Sequence, residues 1–452
     1  MAVVNKALVL LMIIPGSLAA SSNAQFLYIN EDDFIPTPPN AQGDFSYRFG
    51  WSVGIWDQIA IIGARDEDVH GDSSGAAYLY DVSTNTQLFR LIPATGADND
   101  FFGHSVAISS DYAAVGATGY EYDGLTFPGA VFVYDPVTGN ELYMLKGSGS
   151  NNRELLGDSV AIDGDILLAG ASETSTRIGS VYLFDLTTGN EITKINGFDG
   201  PGFIELFGAA VAVSGDRFVV GAPGFGDLAQ GNAYLYDTAT QTLIQELQPN
   251  DLGAVDGFGR SVAISDDYVY VGTPEQGGGA VYMFHAADGQ LIRKITINDE
   301  NPGAPDFGTS LSVSGDKLIV GADNARRNGL SGAGAAYVLD ANTGQMLYRL
   351  YASDPDGGDT YGTSVTNFGD YALVGAPRDD VSVLNSGSAY LFETTYTCPI
   401  EFNANGQLDF FDVGAFISLF MVQDPSADLN ADGQFNFFDV SIFLQLFEND
   451  CY

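Results

Sequence analysis

The sequence predicts a mainly β protein, a seven-bladed β-propeller followed by a small α-helical domain. Three observations carry the prediction. An aromatic-Gly or Leu-Gly dipeptide recurs seven times, 49 to 54 residues apart. Each copy is followed by short apolar runs with period-2 alternation, β-branched and aromatic residues, and Gly/Asp turns, which read as strands. After Cys398 the composition shifts, and a shorter duplicated unit of polar loop and apolar helix appears.

At the N-terminus, Lys6 precedes the apolar run Ala7-Leu8-Val9-Leu10-Leu11-Met12-Ile13-Ile14, which Pro15 and Gly16 break. Ser22-Asn23-Ala24 offers a small-x-small cleavage site, so residues 1–24 read as a secretory signal peptide. The run is too short to span a bilayer. The mature chain then starts near Gln25 and meets an oxidising compartment, where Cys398 and Cys451 can pair.

The repeating dipeptides are Phe49-Gly50, Phe102-Gly103, Leu156-Gly157, Phe207-Gly208, Phe258-Gly259, Phe307-Gly308 and Tyr361-Gly362. An alternating run such as Ser105-Val106-Ala107-Ile108 comes next, then a tight turn ending in Asp. A second run ends in Val-Gly-Ala or a relative, as at Val115-Gly116-Ala117 and Val220-Gly221-Ala222. A third reads like Ala76-Ala77-Tyr78-Leu79-Tyr80-Asp81, and a fourth follows a Thr-Gly turn, as Glu141-Leu142-Tyr143-Met144-Leu145. Four strands per unit of about 50 residues is the pattern of a propeller blade. The propeller is placed at residues 25–396. Its seventh unit stops after three strands, and Phe26 to Ile29 resemble a fourth, so residues 25–30 are expected to close the ring against the strand at Tyr390.

These residues resemble the FG-GAP repeat family, named for the Phe-Gly and Gly-Ala-Pro elements. Gly221-Ala222-Pro223 and Gly375-Ala376-Pro377 match in full, and the resemblance covers roughly residues 45–393. It implies the seven-bladed propeller of integrin α subunits, some of whose blades carry calcium loops between their first two strands. Here those turns are short, as at Ser109-Ser110-Asp111, and cannot supply the roughly six to eight oxygens calcium takes. Blade calcium is not expected. The strand 1–2 and 3–4 turns share one face and are tight. Longer, varied loops lie on the other face at residues 65–74, 118–128, 223–230, 323–332 and 377–386, where binding is expected.

Residues 397–452 form the second domain. Asp428, Asn430, Asp432, Asn436 and Asp439 occupy positions 1, 3, 5, 9 and 12 of a calcium loop, with Gly433 at the sharp turn and the Gln434 carbonyl at position 7. An upstream copy has Glu401, Asn403, Asn405, Gln407, Asp409 and Asp412 at the same positions, and fewer short carboxylates there mean weaker binding. Two Ca2+ sites are expected, the 428–439 site the stronger. Val413, Phe416, Ile417 and Phe420, and likewise Val440, Phe443, Leu444 and Phe447, give each following helix an apolar stripe. Loops ending in Asp before such helices resemble the dockerin type I family, in particular members whose duplication is bracketed by two cysteines. The resemblance implies a Cys398–Cys451 disulfide, stabilising by roughly 4 kcal/mol on the chain-entropy model, and a cohesin-like partner. Family recognition positions, often Ser or Thr, hold Phe410-Phe411 and Phe437-Phe438 here; these pairs are candidate apolar anchors.

Acidic residues outnumber basic ones by 58 to 17, a net charge of −41, which argues against nucleic acid and anionic membranes as partners. Loss of the signal peptide removes Lys6 and leaves −42. His70, His104 and His285 lie in different units without metal-ligand spacing, and no nucleophile elbow, HExxH or phosphate loop occurs. The expectation is a secreted, non-catalytic binding or adhesion protein. Its loops would bind a protein or glycan, and its C-terminal module would dock to a cohesin-like or other cell-surface partner. The alternatives are an extracellular polysaccharide-processing enzyme or complex component, and a C-terminal module acting as a sorting tag.

Overall fold

The computed structural model describes residues 31–34, 47–173, 178–198, 205–224, 230–253, 256–275, 277–297, 306–327, 329–352, 354–380, 385–394, 410–424, 427, 429 and 434–448. The signal-peptide residues 1–24 and both cysteines lie outside these. Among the described residues are seven four-stranded antiparallel sheets. In the first six, the strands follow one another from the inside outward in chain order, as in blade 1: Phe49–Trp56, Ile59–Ala64, Ala76–Asp81 and Thr86–Leu91.

The seventh blade takes its outer strand from the N-terminus, and here the expectation needs correcting. The strand opposite Tyr390 is Glu31–Phe34, not Phe26 to Ile29. Asp33 pairs with Tyr390 and Glu31 with Phe392. The register is fixed by backbone bonds, which the apolar look of residues 26–29 does not reveal; residues 26–30 lie outside the described ones.

The repeated dipeptide explains how blades join. Every Phe, Leu or Tyr of the seven is fully buried. Phe102 meets the third strand of its own blade edge-on, 5.5 Å from Phe132 and 6.2 Å from Tyr134. Gly103 has φ +91°, and its carbonyl lies so close to Gly63 of blade 1 that a Cβ there would sit 2.2 Å from it. Only glycine permits that approach. Ser52 then donates to the same carbonyl at 2.9 Å. Equivalent serines do so at Ser105, Ser159, Ser261, Ser310 and Ser364, the last to Gly50, which joins blade 7 to blade 1. Blade 4 has Ala210 at this position. Side chains of two neighbouring blades fill each propeller core cluster, so the core lies between blades.

Helices Phe410–Met421 and Phe437–Glu448 follow. Phe416 and Phe443 stack at 4.2 Å at the centre of their cluster. Ile417 and Leu444, expected on the apolar stripes, are instead exposed, because this packing needs only one face of each helix. No helix among the described residues is long and apolar enough to cross a membrane.

Candidate functional site

The residue after each dipeptide glycine lies within two residues of the start of an innermost strand, on the face of the long loops. These seven positions hold Trp51, His104, Asp158, Ala209, Arg260, Thr309 and Thr363. The residues after the second-strand Gly-Ala or Gly-Thr include Arg65, Ser172 and Asp323. Five of these residues, Trp51, Arg65, His104, Asp158 and Ser172, join in one contact cluster across blades 1 to 3. Arg65 packs 4.2 Å from the Trp51 ring and donates to Nδ1 of His104 at 3.1 Å. His104 Nε2 lies 3.0 Å from Asp158 Oδ1 in the next blade, and Ser172 donates to the other Asp158 oxygen. Burial opposes the Asp158 charge, but bonds from His104 and Ser172 and the charge of Arg260 hold its carboxyl below the usual range. In blade 6, Thr309 donates to Asp323 at 3.1 Å, and burial raises the Asp323 carboxyl.

A guanidinium always donates, so Nδ1 of His104 accepts and its Nε2–H is committed to Asp158. Read one copy at a time, His104 looks like a blade-packing residue; aligning the seven positions after the dipeptide glycine is the signal that groups it with Asp158 and Arg260. Of the expected binding loops, residues 65–74 and 118–128 are fully described, while 225–229, 328 and 381–384 lie outside.

In the C-terminal module, Asp412 and Asp439 are fully buried. Asp439 accepts from the Leu429 N–H at 3.0 Å and the Asn436 N–H at 2.8 Å, while Asn436 Oδ1 accepts from Phe438 N–H at 2.9 Å. This is a capping box at the start of the second helix, and it draws loop positions 9 and 12 together. The Gln434 carbonyl accepts from Asn436 Nδ2 at 3.3 Å. The other predicted ligands, Asp428, Asn430, Asp432, Glu401, Asn403, Asn405, Gln407 and Asp409, lie outside the described residues. Residues 398–452 contain nine acidic side chains and no Lys, Arg or His. Asp412 and Asp439, each at position 12 of its loop, lie in a segment that offers oxygen ligands and no basic side chain of its own, a donor set that fits a hard cation. Phe437 and Phe438 are 74% and 65% exposed. The side chains of Phe410 and Phe411 lie outside what is described.

The FG-GAP repeat pattern matches residues 41–80, 86–134, 242–284, 291–339 and 347–392, 227 of the 452 residues. Integrin alpha-3 of Cricetulus griseus is 27% identical over 38% of this chain and 19% of its own length. The chain therefore spans about a fifth of that relative. Both findings agree with the dipeptide and Gly-Ala contacts that join the blades, and the chain belongs to the FG-GAP repeat family.

Proposed function

We propose that this chain is a secreted, non-catalytic binding or adhesion protein. The propeller presents its long-loop face to a protein or glycan. The likeness to an integrin α subunit supports a protein ligand. The C-terminal module is dockerin-like and holds two calcium ions. Asp428, Asn430, Asp432, the Gln434 carbonyl, Asn436 and Asp439 would hold one, and Glu401, Asn403, Asn405, the Gln407 carbonyl, Asp409 and Asp412 the other. Calcium supplies the positive charge the module's own sequence lacks. So loaded, the module docks to a cohesin-like or other cell-surface protein, with the exposed Phe437 and Phe438 as apolar anchors. The observation that carries this reading is the pair of buried carboxylates, Asp412 and Asp439, in a segment with no basic residue.

The test is capture from envelope material by the full chain, with calcium and with EDTA. The expected outcome is a partner retained only with calcium and lost in the Phe437→Ser/Phe438→Ser variant. Captures that ignore both calcium and this variant would refute docking through the module.

A further inference from the structure

The face of the 1–2 and 3–4 turns, opposite the long loops, carries an open cleft of about 330 Å³ over blade 5, bordered by blade 6 and by Ser214 of blade 4, which donates to Asp266 at 3.3 Å. That is the low end of ligand-sized clefts, roughly 300–1,000 Å³. Tyr268, Asp266 and Asp267 of blade 5 face Ser314 of blade 6 over apolar Ile264 and Val313. The two carboxylates are exposed, and Tyr268 is half-buried. His285 on the adjoining strand lies 6.0 Å from the Tyr268 ring. Neither Lys nor Arg is among the described lining residues.

Elsewhere the chain shows what this combination of groups holds. Lys194 lies 4.8 Å from the Tyr182 ring and 2.5 Å from Glu154. Lys294 lies 5.2 Å from the Tyr282 ring and 2.9 Å from Asp251, and Lys146 lies 4.4 Å from Tyr122 and 3.8 Å from Asp123. Each ammonium is drawn to a ring and a carboxylate while its methylenes cover apolar surface. The positions equivalent to Tyr268 in blades 4 and 6 are Arg217 and Lys317, which ion-pair with Asp216 at 2.5 Å and Asp370 at 3.0 Å. Blade 5 thus offers ring, carboxylates and apolar floor where its neighbours supply a cation.

We propose that this cleft binds a lysine or arginine side chain presented by a partner protein. The carboxylates repel acidic side chains, and the lining gives a phosphate or sulfate no counter-charge. The cleft lies on the opposite face from the long loops, so its failure would leave the loop and calcium readings standing.

Saturation-transfer NMR on the full chain tests it, with the N-methylamides of Nα-acetyl-lysine and Nα-acetyl-arginine as probes. The norleucine counterpart and methyl glucoside serve as uncharged comparisons. The expected result is a saturable response to a basic probe at least tenfold above that to norleucine. It should weaken several-fold in Asp267→Asn and vanish in Ser314→Arg, which fills the cleft with a cation of the chain's own. If Ser314→Arg fails to fold, as its melting curve will show, Asp267→Asn decides alone. Equal responses to basic and norleucine probes overturn the proposal, as does a basic response unchanged by the folded variants, or saturation by methyl glucoside alone.

Discussion

At the scale of single residues, the joints between blades rest on a serine hydroxyl and two glycines, and blade 4 lacks the hydroxyl. Ala210→Ser should add the missing bond to the Gly259 carbonyl and raise stability by about 1 kcal/mol, read as a higher denaturation midpoint. Ser105→Ala, which strips the same bond from a buried site, should lower it by about 1 kcal/mol. Gly103→Ala should cost well over 1 kcal/mol, because φ is +91° and its Cβ would meet the Ala76 carbonyl at 2.3 Å. The glycines are plain in the sequence as a pattern, but their reason is not. Gly63 and Gly103 touch across a blade boundary, and no single copy says which other copy it meets. For the same reason His104 discloses its link to Asp158 only once the ring is assembled.

At the scale of elements, the seventh blade, like the fourth with Glu205 and Glu246 around Tyr234, gathers carboxylates around its third-strand tyrosine. The Tyr390 hydroxyl lies 2.6 Å from Asp379 and 3.0 Å from Asp354, and the backbone of Asp33 runs opposite. In blades 1, 3, 5 and 6 the residue opposite the equivalent tyrosine is Arg90, Lys194, Lys294 or Arg349. Burial raises the nearby Asp379 carboxyl and pushes that of Asp359 up to about 6. An unfolded carboxyl titrates near 4. The folded chain therefore keeps a proton that the unfolded chain releases, and stability falls as pH rises from about 4 to about 6, then levels off. Asp359→Asn, which can still accept from the Asp356 N–H, should flatten that decline in denaturation midpoints measured across the interval. Deleting residues 25–34 should lower the propeller's melting temperature by removing its outer seventh-blade strand. Strand alternation and turn chemistry made every blade legible. The closing strand was legible in kind but not in place, since an outer strand buries little and its acidic residues hide the alternation. The helices were legible as helices, although Ile417 and Leu444 face outward because only one helix sits against each.

At the scale of the whole molecule, a ring of latched blades is followed by a two-helix segment that carries acidic side chains and no basic ones. Adding calcium to the full chain should raise the melting of the C-terminal module, and EDTA should lower it, while the propeller transition moves by less than a degree or so; calorimetry separates the two. Charge alone could not have revealed this division, because 49 of the 58 acidic residues precede Cys398 and most serve turns and solvated loops. The closing strand has one further consequence, which is mechanical. Glu31 stands opposite Phe392, so the chain enters and leaves the seventh blade at the same end. A force pulling those two points apart would peel the outer strand one residue pair at a time, at low load. A force arriving only from the C-terminal side, against a ligand gripped elsewhere on the ring, would instead drag on Ser388–Glu393. That strand is bonded on both flanks, and it would resist in shear across two ladders at once. The same fold is thus weak when pulled apart at the two ends of that joint and strong when loaded from its C-terminal side alone.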